Sequence, residues 1–154
     1  RGTEQAKTND VTAKFSRGEY GLLLEFGRPC TGTRLTEVEK VTVAMSALKI
    51  PIIKDNPLYG LLKEDGSGRF KEEFVHEKVL SAILELNMKE DELETIMKTL
   101  MPILDTVDTV VSVGLVTRFA EDGSLPVADK LNNMGFTVRP NAKINVGLGR
   151  PLMD

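Results

Sequence analysis

Residues 20–26 read YGLLLEF, an apolar run with Gly18 before it and Gly27 after it. A run this short, flanked by glycines, suits a strand buried inside a sheet better than a helix. The loop GRPCTGTR at 27–34 follows, and then a helical pattern begins. Thr36 with Glu39 three residues on has capping-box spacing, and Val38, Val41, Met45 and Leu48 recur at the helical period. A strand that feeds a helix through a short loop commits the chain to a sheet with helices packed on it.

The remaining segments extend that plan. Residues 1–10 are polar and expected to fray, and 11–16 alternate weakly, as a short strand would. Residues 49–53 predict a short strand, with Pro51 placing it at an edge or at its own start. Asn56 and Pro57 signal a turn, 58–62 a further strand, and 65–68 (DGSG) a tight turn. Residues 72–86 read as a second helix. Asn87 with Glu90 then reads as the cap of a third, whose apolar face is Leu93, Ile96, Met97, Leu100 and Leu104; Pro102 would kink it or end it early. The Val- and Thr-rich stretch 106–119 predicts a long strand, and 124–134 a short helix stopped by Gly135. Residues 136–139 and 143–146 predict a hairpin around Pro140 and Asn141. The expected fold class is α/β, a mixed sheet flanked by helices, because crossover helices and hairpin turns are both present.

Composition bounds the function classes. The 154 residues fit a single domain spanning 1–154, since domains most often run to roughly 100–150 residues. The net charge of −3 offers no basic field of the kind that nucleic-acid binding relies on, so no nucleic-acid partner is expected. Cys30 is the one cysteine, which excludes an internal disulfide and a multi-cysteine zinc site, and fits a reducing cytoplasm. The apolar stretches are far shorter than the ~20 residues a membrane helix needs, and no secretion signal opens the chain. A cytoplasmic protein without membrane partners is the expectation.

The loop at 27–34 carries the chemistry most open to reading. It leaves a buried strand and enters a helix whose first backbone N–H groups and dipole favour an anion. Gly27 and Gly32 would let backbone approach a phosphate closely, Thr31 and Thr33 bring hydroxyls, and Arg28 and Arg34 bring guanidinium forks. The same residues also fit a plain Gly/Pro loop with surface arginines, and the spacing is not that of a Walker A loop. Arg118, Lys143 and the glycine-rich 146–150 are further basic candidates. His76, the one histidine, is expected on a solvated helix face among Glu72, Glu73, Glu77 and Lys78, Cys30 as a small filler, and Met45, Met97 and Met101 in the core.

Residues 31–38 (TGTRLTEV) resemble the first strand–loop–helix of the inosine-triphosphate pyrophosphatase fold, which reads Thr-Gly-Asn, a spacer, Lys-Leu, one residue, then Glu-Val. The resemblance puts Arg34 in the place of the triphosphate-binding lysine and Glu37 in that of a metal-binding glutamate. Here the loop is shorter and Thr33 stands where that family has asparagine. In size and overall run the chain also resembles a methanogen family of guanylyltransferases that make the iron-guanylylpyridinol cofactor of Fe-hydrogenase, enzymes with a similar fold that act as homodimers.

That second resemblance implies transfer of GMP from GTP to a pyridinol hydroxyl, with release of pyrophosphate and with Mg²⁺ as cofactor. Attack on an α-phosphorus needs phosphate charge neutralised, a role open to Arg28, Arg34 and Lys14, and an ion held by carboxylates, open to Glu37, Asp55 or Asp65. Lys54, Asp55 and Asn56 follow a predicted strand end, where ligand sites of open sheets lie. Two other readings stand beside it: nucleoside-triphosphate pyrophosphohydrolysis, with water as the acceptor, and a non-catalytic binding or assembly protein for cofactor maturation. The lack of a carboxylate dyad and the single histidine keep the last one open.

Overall fold

The computed structural model describes residues 14–28 and 30–138. Its centre is the predicted strand, β1 (Glu19–Phe26), in which every residue from Tyr20 to Phe26 is buried. β1 lies between β4 (Ala82–Lys89) and β5 (Val111–Val116), and both pairings are antiparallel. The fold is of the expected α/β kind, helices on a sheet, but the described sheet is antiparallel where a mixed one was expected. Its strands are joined by long excursions, not by a helix crossing between parallel neighbours.

The register sorts side chains onto two faces, because directly opposed residues share a face and neighbours alternate. Tyr20, Leu22, Leu24 and Phe26 stand opposite Met88, Leu86, Leu84 and Ala82 on one face. On this face lie α1 (Leu35–Ala47), which buries Leu35, Val38, Val41 and Met45, and α2 (Leu93–Leu104), which buries Leu93, Ile96, Met97 and Leu100. α3 (Pro126–Asn133) adds Val127 to the same core; it falls within the helix expected over 124–134, with Gly135 just past its end as the sequence predicts, and starts at Pro126.

The expected helix over 72–86 does not form. Residues 72–76 are a turn, Lys78–Val79 is a short strand, β3, and the rest belongs to β4. The alternation of Leu84, Leu86 and Met88 with Glu85, Asn87 and Lys89 has a period of two, and the eight-residue pairing with β1 outweighs the helix propensity of the Glu and Lys residues. Asn87 accordingly lies in a strand. The cap of α2 is Glu92, whose carboxylate reaches back to the Lys89 N–H at 2.8 Å. Pro102 sits inside α2, which runs two residues past it.

Other expectations shrink or shift. The strand at 49–53 is reduced to one bridge, Ile52 with Leu86, on the outer side of β4. Residues 58–62 hold a 3-10 turn, Tyr59–Leu61, set up by Asn56, whose side-chain oxygen takes the Leu58 N–H at 2.9 Å. Residues 14–16 form no strand, and 106–119 contributes only β5. The fraying expected at 1–10, residues 11–13 of the strand at 11–16, and most of the hairpin expected over 136–146 lie outside the described residues, while 136–138 carry no strand.

α1 starts without the expected capping box. Thr33–Arg34 forms β2, antiparallel to β3, and this brings the Glu77 carbonyl to the Leu35 N–H at 3.0 Å. Glu39 is therefore not used as a cap; its carboxylate accepts the Phe70 N–H at 2.6 Å. The helix ends in a Schellman motif, Ile50 N–H to Met45 O and Lys49 N–H to Ser46 O, with Lys49 itself left-handed at φ 60°. No helix among the described residues is long and apolar enough to cross a membrane.

Candidate functional site

The 27–34 loop closes on itself. Gly27 and Gly32 both have positive φ, and a Cβ on Gly27 would lie 2.6 Å from the Gly32 carbonyl carbon. The Thr31 and Gly32 N–H groups both donate to the Gly27 carbonyl at 3.1 Å, and the Thr109 hydroxyl donates to the Gly32 carbonyl at 2.7 Å. The two glycines therefore serve a backbone-on-backbone approach, and these two amides point inward where a phosphate cradle would need them outward. Thr33 is buried with its hydroxyl on the Arg34 carbonyl, while Thr31 and Cys30 are exposed. Cys30, at φ 56°, is a turn residue rather than a filler of the core.

What the loop does present outward is charge. Arg34 and Lys78 are both exposed and stand directly opposite each other across β2 and β3. Like charges opposed in this way repel unless an anion lies between or over them. A Cβ on Gly32 would sit 3.6 Å from the Lys78 side chain, so this second cation leans over the glycine loop. Lys78 was not singled out in the sequence, because a helix over 72–86 would have carried it away from Arg34. The two-residue β2–β3 pairing, which has no clear pattern of its own, is what joins them.

The other predicted residues go elsewhere. Arg28 turns its guanidinium to Glu25, 3.9 Å away. Lys14 pairs with Asp55. The Lys14 carbonyl takes a hydrogen bond from Asn87, which is level with Gly21 of β1. At ~3.3 Å per residue along the strand, that puts the Lys14 backbone about 20 Å from the loop that begins at Gly27. Arg28, Thr31, Gly32, Thr33 and Arg34 stay with the loop, and Lys14 and Asp55 form a separate pair.

Glu37 and Asp55 do not make a shared cation site. Glu37, in the first turn of α1, accepts from the Lys40 ammonium at 2.6 Å and from the Asp108 N–H at 2.8 Å, while Lys40 also reaches the Thr106 carbonyl at 2.8 Å. Burial pushes the Glu37 carboxyl up, but the Lys40 and Asp108 hydrogen bonds and the Lys40 charge outweigh it and hold it below its ordinary range. This carboxylate pins α1 to the segment before β5. Asp55 lies across the sheet, beyond β4, next to Asn56. Asp65 closes its own turn on the Ser67 N–H at 2.9 Å, and the Ser67 side chain first and its backbone N–H second hold the carboxyl below its ordinary range. Among the described residues no group of three or more His, Cys, Asp or Glu side chains is arranged to hold a metal. His76 is exposed, in a turn and not on a helix.

The second face of the sheet carries groups the sequence reading missed. Glu25 and Glu85 share it, in diagonal positions across β1 and β4, with Asn87 and Glu19 further along. Glu85 is 1% exposed, and its Oε2 is 3.3 Å from the Asn56 amide while its Oε1 is buried without a hydrogen-bond partner. Burial is the largest influence on Glu85 and raises its carboxyl above the usual range, against the Asn56 bond and the Lys14 charge. The alternation across 82–89 was the signal that could have found it.

An open groove of about 780 Å³ lies elsewhere, between α2 and α3, lined in part by Met97, Met101, Met134 and Phe136. None of the predicted site residues lines it. Comparison of the chain with family models, curated proteins and solved structures finds no match in any of the three.

Proposed function

We propose that this protein is a nucleotidyltransferase that moves GMP from GTP to a pyridinol hydroxyl in iron-guanylylpyridinol cofactor biosynthesis, releasing pyrophosphate. The observation that supports it is the opposed pair Arg34 and Lys78 beside the glycine loop, at the start of α1. Two adjacent exposed cations, near the positive end of a helix dipole, match the several charges of a polyphosphate better than one cation would. The sequence resemblance independently assigns triphosphate binding to Arg34.

In the reaction the pyridinol oxygen forms a bond to the α-phosphorus. The bond from that phosphorus to the bridging oxygen breaks, pyrophosphate leaves with its charge held by the cations, and the hydroxyl proton is lost to solvent. Mg²⁺ belongs to the proposal as an ion that arrives with GTP and is held mainly by phosphate oxygens and water; Glu37 is already committed to Lys40. The protein is proposed to act in the cytoplasm, as a homodimer.

Calorimetric titration of GTP with Mg²⁺ into the wild type, Arg34→Ala and Lys78→Ala is the test. Micromolar binding that falls at least tenfold in both variants supports the site, and pyrophosphate release that requires the pyridinol supports the transfer. Pyrophosphate released from GTP alone would make the protein a pyrophosphohydrolase. Binding without turnover would make it an assembly protein, and no binding to the wild type would sink the site.

A further inference from the structure

Arg118 follows β5, two residues past Val116. All three of its guanidinium nitrogens, Nε, Nη1 and Nη2, are buried, and none has a hydrogen-bond partner. A guanidinium stays a cation when buried, and its five N–H donors have no acceptors here. A buried charge left in this state is strongly unfavourable, so the group calls for an acceptor.

The acidic residues nearest in the chain do not supply one. Glu121 is drawn to Arg17 at 3.7 Å, and Asp122 caps its own turn through the Ser124 N–H at 2.9 Å. Glu19 is occupied as well, by the Ser16 N–H at 2.8 Å and the Asn87 amide at 3.2 Å. Residues 117–120 belong to no helix or strand, so a local opening that lets a small solute reach the fork costs no ladder hydrogen bonds.

We infer that Arg118 is the receptor for a small oxyanion, phosphate or carboxylate, taken from solution and gripped by two parallel N–H···O bonds. The site is separate from Arg34 and Lys78: it lies past Val116, which pairs with Gly21, at the opposite end of β1 from the glycine loop. It does not rest on the nucleotidyltransferase reading.

Thermal unfolding of wild type, Arg118→Met and Arg118→Lys, in chloride buffer and with added inorganic phosphate or acetate, tests it. At ten times the Kd, the preferred anion raises the wild-type midpoint by roughly 3–6 °C. Arg118→Met does not respond, and in chloride alone it unfolds no earlier than wild type, since it loses only an unpaired buried charge. Arg118→Lys keeps the charge without the fork and responds more weakly. The larger response identifies the ligand as phosphate-like or carboxylate-like. Arg118→Met that unfolds several degrees early in chloride would mean a structural partner inside the chain and overturn the proposal. Equal shifts in wild type and Arg118→Met, or none in either, would overturn it too. A GTP titration of Arg118→Met that matches wild type would show that the two sites stand or fall separately.

Discussion

The two faces of the β1–β4 pair are built from the same two strands and differ in almost every physical respect. On one, Tyr20, Leu22, Leu24, Leu84, Leu86 and Met88 meet α1 and α2, and each is nearly or fully buried. On the other, Gly21, Leu23 and Glu25 lie opposite Asn87, Glu85 and Ile83, and two carboxylates are buried along with the apolar groups. The first face gains free energy from every atom it removes from water. The second gives part of that gain back by desolvating Glu85 and Glu25. The first face holds the fold, and the second holds its carboxylates at a cost in stability.

Leu86→Ala should cost about 2–5 kcal/mol in urea unfolding, because a fully buried leucine leaves a cavity. If it costs less than its polar-face neighbours do, the comparison breaks. Glu37→Ala removes a charged acceptor that ties α1 to Asp108 and Lys40, and should cost about 1.5–3 kcal/mol at neutral pH. Because the folded-state pKa of Glu37 is depressed, its stabilisation is present above the ordinary glutamate range and lost as pH falls through the folded value. The wild-type advantage over Glu37→Ala should therefore shrink in acid, which unfolding midpoints across that range would read.

Glu85→Gln should behave oppositely and more mildly. Its folded pKa is raised, so the native state binds the proton more readily than the unfolded chain. The wild type gains stability as pH falls from neutral through the folded value, and loses it as pH rises. Glu85→Gln should thus be the more stable protein at neutral pH, with its advantage disappearing in acid. An advantage that grows in acid would mean that Glu85 is paired as an ion. The smallest effect is expected at the end of α1, where Lys49→Gly relieves a left-handed side chain and should gain up to about 1 kcal/mol in the same assay.

The apolar face was largely legible in the sequence. The shortness and flanking glycines of the run at 20–26 point to a strand, the spacing of Val38, Val41 and Met45 points to a helix, and both segments fold that way. α2 was legible for the same reason. The polar face was not. Glu72, Glu73, Glu77 and Lys78 resemble a solvated helix, and that pattern runs without a break into the strand that carries Glu85. The period changes from helical to alternating at about residue 82, and a single window across both averages the change away. The site loop was legible as a loop. What its glycines approach was not, since Gly27 meets Gly32, and the Arg34–Lys78 pairing joins residues 44 apart in sequence through only two bridges.

β1 is the central strand of the sheet, and it is also the first of its three strands to leave the ribosome. Its pairing partners lie 56 residues away for Phe26 with Ala82 and 95 away for Gly21 with Val116. At roughly 5–20 residues per second of synthesis, an apolar strand waits several seconds before either neighbour exists. Contacts so distant in sequence also slow refolding of the finished chain, because each loop must close before its pairing is rewarded. Expression of this protein should therefore depend on how the nascent YGLLLEF segment is shielded during that interval, and slower refolding than a helical bundle of equal length should be its signature in vitro.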